Sequence, residues 1–114
     1  MHEMSLVQNL IAQLTALAAE HDKKRVVGLT VDIGPLSGVV IDSFRFAFDV
    51  LSAENGLTAG ARLTILNPPA TYRCVGCGYE QSALLRPDHC PKCRETLLIP
   101  AGGDAITLNQ VELE

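Results

Sequence analysis

Residues 74–93 read CVGCGYEQSALLRPDHCPKC, two CxxC pairs (Cys74 with Cys77, Cys90 with Cys93) separated by twelve residues. Two residues between thiolates let one tight turn aim both sulfurs at one ion, and Gly76 and Gly78 relieve the crowding in the first turn. Two such turns close a tetrahedral set of four soft ligands, the geometry Zn2+ prefers. All four positions are then filled by protein, leaving none for water or substrate, so the zinc reads as structural and a zinc hydrolase is excluded. Disulfides or a thioredoxin-like redox pair would use the same four cysteines, although a redox CxxC is expected once and at a strand-helix junction.

Working outward, Pro68-Pro69 on one side and Pro100 with Gly102-Gly103 on the other bracket this segment. Prolines withdraw backbone donors and stop strands, so these positions read as boundaries. The expected division is residues 1–69 plus 101–114 as one α/β domain and residues 70–100 as an inserted zinc-binding domain. An insert this short buries too little apolar surface to fold alone, and metal binding, typically about 10–16 kcal/mol for structural zinc in small peptides, supplies the difference. The charge is split in the same way. Residues 70–100 carry four basic and three acidic side chains, and the remainder five basic and ten acidic.

The flanking sequence alternates between two periods. Val7, Leu10, Ile11, Leu14, Leu17 and Ala18 form a three-and-four stripe that predicts a helix over Ser5 to Glu20. Val27, Leu29, Val31 and Ile33 alternate with Gly28, Thr30 and Asp32 as a half-buried strand ending at Gly34-Pro35. Phe44, Ala47, Phe48 and Leu51 return to helical spacing from Asp42 to Glu54, with Asp42 or Ser43 as cap and Asn55-Gly56 as stop. Ala61, Leu63 and Ile65 predict a second strand. The tail from Ala105 to Leu113 predicts a third, whose alternation slips near Gln110.

Composition narrows the function. The 114-residue chain has 9 basic and 13 acidic side chains, a formal charge of −4, which argues against a surface built for phosphate backbones. No apolar run approaches the roughly 20 residues of a membrane span, and the amino terminus lacks the pattern of a secretory signal. The expectation is a cytoplasmic protein that binds neither nucleic acid nor membrane. A ribbon-type module for nucleic acid or a transcription partner is the alternative, resting on Arg73, Arg86, Lys92 and Arg94.

Met1-His2 suggests a second metal site. Methionine is normally excised only before small residues, so Met1 is expected to stay and present its α-amine. That amine, the deprotonated His2 amide and the His2 imidazole Nδ1 close fused five- and six-membered chelate rings, a set suited to square-planar Ni2+ or Cu2+. Glu3 can add its amide or carboxylate. On spacing alone, His2 and Glu3 also fit ordinary polar residues before an amphipathic helix, and His21 and His89 fit solvated positions.

The start Met1-His2-Glu3, the segment Ile33-Gly34-Pro35-Leu36-Ser37-Gly38-Val39 followed by Phe44-Arg45-Phe46-Ala47-Phe48, and the CxxC-x12-CxxC insert together resemble the HypA/HybF family of hydrogenase nickel-insertion proteins. The resemblance runs through essentially the whole chain. It implies an α+β fold of two helices packed on a three-stranded sheet, with an inserted four-cysteine zinc-ribbon-like module. It also implies a non-enzymatic nickel metallochaperone acting in hydrogenase maturation, with nickel at His2, Met1 and Glu3 and structural zinc at Cys74, Cys77, Cys90 and Cys93. The implied partners are a nickel-delivering accessory GTPase and the hydrogenase large subunit, with room for a homodimer. One departure is Val40, where the family usually has an acidic residue; its role is either absent or partly taken by Asp42.

Overall fold

The computed structural model describes residues 2–114, His2 by its backbone alone. The element order is α1 (His2–Glu20), β1 (Val26–Ile33), α2 (Ile41–Ala53), β2 (Arg62–Leu66), β3 (Ala70–Cys74), β4 (Glu80–Ala83), β5 (Leu98–Ala101) and β6 (Ile106–Leu113). Two three-stranded sheets result, ordered β2-β1-β6 and β4-β3-β5. The expected α+β fold, two helices on a three-stranded sheet with a cysteine-bearing insert, is the observed one. Among the described residues no helix is long and apolar enough to cross a membrane.

The chain divides into two compact units, one of Met1–Val31, Val39–Ile65 and Thr107–Glu114, the other of Asp32–Gly38 and Leu66–Ile106. In the first unit the helical stripes are buried as their periods require. Val7, Leu10, Leu14 and Ala18 of α1 and Phe44, Ala47 and Phe48 of α2 join Val26, Leu29 and Val31 of β1 and Leu63 of β2 in the core. The slip in β6 is real, since Asn109 and Gln110 are both exposed between half-buried Leu108 and Val111.

The helix ends differ in detail from their expected positions. α1 begins at His2 rather than Ser5. It ends in a Schellman motif: Asp22 takes a left-handed φ of 55°, its N–H donates to the Ala19 carbonyl, and Lys23 N–H donates to that of Ala18. α2 is not capped by Asp42 or Ser43, which lie inside its first turn; its N-cap is Val40, in extended conformation and without a side-chain cap bond. The other end is turned by Asn55, whose side-chain oxygen accepts from Leu57 N–H at 2.9 Å.

In the second unit, residues 32–38 cluster with the cysteine-bearing segment, whereas the sequence division groups them with the helices. The physical reason is a backbone clasp. Gly34 N–H donates to the Ala105 carbonyl at 3.0 Å and Leu36 N–H to that of Gly103 at 2.7 Å. The crossing is tight enough to demand glycine: a Cβ on Gly34 would overlap the Gly103 carbonyl, and one on Gly103, at φ 75°, would stand 2.6 Å from the Ala70 Cβ. Gly103→Ala is therefore expected to cost at least about 3 kcal/mol by urea denaturation, through combined steric and backbone strain. Gly38→Ala, at φ 77° with nothing within 4 Å, is expected to cost only about 1 kcal/mol.

Candidate metal centre

Three short strands set the cysteines. No strand is expected from the sequence between residues 70 and 100, although Ala70, Tyr72 and Cys74 alternate with Thr71 and Arg73 in a period of two. β3 pairs antiparallel with β4 (Arg73 opposite Glu80) and with β5 (Cys74 opposite Leu98). Its inward residues Ala70, Tyr72 and Cys74 make a small core with Cys90 and Leu98. Arg86 covers its margin, the guanidinium 5.8 Å from the Tyr72 ring centroid while donating to the Leu98 carbonyl at 2.6 Å.

The two CxxC turns are built alike. Gly78 N–H donates to the Cys74 carbonyl and Arg94 N–H to the Cys90 carbonyl, both at 2.9 Å. Cys74 N–H closes on the Tyr79 carbonyl at 2.9 Å and Cys90 N–H on that of Glu95 at 2.8 Å. Within each turn an amide also points at the first sulfur: Gly76 N–H lies 3.3 Å from Cys74 Sγ and Lys92 N–H 3.4 Å from Cys90 Sγ. The residue after each second cysteine is left-handed, Gly78 at φ 77° and Arg94 at φ 67°. Gly78 announces that requirement in the sequence; Arg94 hides it.

These turns bring Cys74, Cys77, Cys90 and Cys93 together, with all four sulfurs within 4.8 Å of one another. The shortest separations are 3.5 Å between Cys74 and Cys93 and 3.6 Å between Cys77 and Cys90. A tetrahedral ion with metal–sulfur bonds of about 2.3 Å needs sulfurs about 3.8 Å apart. The donor set fits Zn2+ in number, softness and spacing, and all four cysteines are free thiols rather than disulfides. Cys74 and Cys90 are buried while Cys77 and Cys93 face outward.

Thiolates crowded without a cation oppose one another. Burial pushes Cys90 up, but the backbone amides of Cys93 and Lys92 and the thiols of Cys77 and Cys74 outweigh it, lowering it to about 7. The backbone at Glu95 favours the Cys93 thiolate, yet the Cys74 thiol, burial and the other two cysteines push it up to about 12. Cys77 is also raised, against the favourable backbone at Tyr79, by burial and by Cys90.

The remaining candidates stand elsewhere. His89 is exposed beside Arg94 and Thr96, outside the sulfur cluster. His21 is exposed just beyond α1, and Asp42 is exposed in the first turn of α2. Met1 and the His2 side chain lie outside the described residues. Glu3 is buried, and its carboxylate accepts from Val40 N–H at 3.5 Å.

An ion that binds all four sulfurs displaces the protons of those still held as thiols, so affinity falls as pH falls. Cys77 and Cys93 stay protonated through neutral pH in the metal-free protein. Between pH 6 and 8 the apparent zinc affinity, measured by chelator competition, should rise by at least about two decades per pH unit. A slope below one decade would contradict four-thiolate binding.

The family described as "Hydrogenase/urease nickel incorporation, metallochaperone, hypA" matches residues 1–113. The hydrogenase maturation factor HypA of Azotobacter vinelandii is 34% identical over 114 residues, covering 100% of both chains. Its counterpart in Cereibacter sphaeroides is 36% identical with the same coverage. The solution structure of the Ni metallochaperone HypA from Helicobacter pylori matches with TM-score 0.68 and 25% identity, covering 97% of this chain and 96% of that one. A second HypA solution structure matches with TM-score 0.72 and 26% identity, covering 100% and 97%. The chain belongs to the HypA family, a family of metallochaperones for hydrogenase maturation and not of enzymes.

Proposed function

We propose that this protein captures Ni2+ at its amino terminus and delivers it to a [NiFe]-hydrogenase precursor, while Cys74, Cys77, Cys90 and Cys93 hold a structural Zn2+. The observation that carries the nickel assignment is the start of α1 at His2. The His2 and Glu3 amides have no carbonyl four residues back to bond, so they are free to lose protons and bind an ion. With the Met1 amine and the His2 imidazole they make a nitrogen-rich planar set, with Glu3 beside it. Such a site suits Ni2+ by geometry and excludes hard cations.

A carrier must release what it holds. Few ligands on a chain terminus can leave one at a time, whereas four thiolates enclosing an ion cannot. The terminal site is therefore the cargo site and the sulfur site the scaffold. The functional division follows the two chemistries: a nickel domain of residues 1–69 plus 101–114 and a zinc domain of residues 70–100. Delivery is assigned to the cytoplasm, to a nickel-delivering accessory GTPase and to the hydrogenase large subunit, with a homodimer as an assembly to be tested by sedimentation.

Three forms test the site: the native chain, His2→Ala, and a chain extended before Met1. Blocking the amine and removing the imidazole should each weaken nickel binding by at least about a hundredfold, the loss of a chelate ring, with zinc content unchanged. Nickel bound equally tightly by all three would defeat the terminal site. Conversely, Cys93→Ser is expected to lose zinc and the fold of the β4-β3-β5 sheet together, measured by metal analysis and amide exchange.

A further inference from the structure

We propose that the Glu3 carboxylate is a positioning group rather than a nickel ligand. It braces the start of α1 against the N-terminus of α2, which has no cap of its own, and thereby sets where the terminal nitrogens stand. The inference rests on the nickel reading above and assigns Glu3 a different task within that site.

The first observation is burial. Glu3 lies in the opening turn of α1 yet is only 9% exposed. A carboxylate is rarely withdrawn from water without something to stabilise its charge.

The second is the place its oxygen reaches. Glu3 Oε2 accepts from Val40 N–H at 3.5 Å across 37 residues of sequence. Val40 is the N-cap of α2, with φ −85° and ψ 111° and no side-chain cap bond. A helix N-terminus presents unpaired N–H groups and the positive end of the dipole, and it favours an acceptor and a negative charge. Valine offers neither. At 3.5 Å the hydrogen bond itself is long, so the charge at the helix end carries much of the attraction.

The third is what stands nearby. Asp42 is exposed, two residues inside α2, and makes no cap bond at Val40. The helix start thus draws its acceptor from α1. An oxygen committed to Val40 N–H is drawn away from a planar ion, while the Glu3 amide remains available to it.

The test compares the full-length, zinc-loaded native chain with Glu3→Gln and Glu3→Ala. Amide exchange at Val40 is read without nickel; nickel affinity and the nickel d–d absorption spectrum are read with it. In Glu3→Ala, Val40 exchange should quicken and nickel affinity fall, each roughly tenfold, with the spectrum unchanged because the ligands are unchanged. Glu3→Gln keeps an acceptor oxygen but loses the charge, so its affinity and its Val40 exchange should fall between those of native and Glu3→Ala, with the native spectrum. Val40 exchange equal in all three proteins would overturn the brace. So would a Glu3→Gln protein that loses nickel as fully as Glu3→Ala with an altered spectrum, the mark of a lost carboxylate ligand. A native chain that binds no nickel would instead defeat the nickel reading, and Val40 exchange would still decide the brace.

Discussion

Four cysteine sulfurs held within 4.8 Å of one another are the constraint on which the second unit depends. The apolar core around them is small, with Ala70, Tyr72 and Leu98 beside two of the cysteines themselves. Such a core cannot offset the conformational entropy of three short strands and two tight turns. Negative charge gathered on the sulfurs opposes itself until a cation enters: against the favourable backbone at Glu95, Cys74, burial and the other two cysteines push Cys93 up. A metal held by these sulfurs is thus expected to act as a folding partner. The amides at Gly76 and Lys92 and the left-handed residues Gly78 and Arg94 are arranged to receive it.

That constraint bears on how a protein of this size can handle two metals. Soft thiolates in a closed set hold their ion as part of the fold; nitrogen donors at a chain terminus select a different geometry and can let go. In the proposed reading, the first unit supplies the platform for the second task. Its helices bury a continuous stripe, and α1 extends to His2. A helix that began at Ser5 would leave the His2 backbone on a loose leader; one that begins at His2 makes that backbone part of a packed element.

Much of this was legible in the residues. The stripe from Val7 to Ala18, the alternation from Leu29 to Ile33 and the spacing of Phe44, Ala47 and Phe48 each have one periodicity, and burial obeyed it. The CxxC spacing foretold a sulfur cluster because ligand spacing is nearly a local property. What could not be read depended on contacts distant in sequence. The start of α2 at Ile41 looks unmarked because Val40 is a poor cap, and the acceptor at its N–H comes from Glu3. The strands of the insert are four or five residues long and partly polar, so their pairing rather than their pattern defines them. Gly34 and Gly103 read as loop residues, whereas Gly34 is required by the Gly103 backbone and Gly103 by Ala70 and its own positive φ. At Arg94 the side chain conceals a conformation that the twin turn gives to glycine.

The central claim is that the two ions sit in chemically different places, and X-ray absorption at the nickel and zinc edges of the same doubly loaded protein tests it most directly. The account predicts zinc surrounded by four sulfurs at about 2.3 Å and nickel surrounded by nitrogen and oxygen with no sulfur neighbour. Sulfur at the nickel edge, with zinc displaced in proportion, would place the cargo in the cysteine cluster and contradict it.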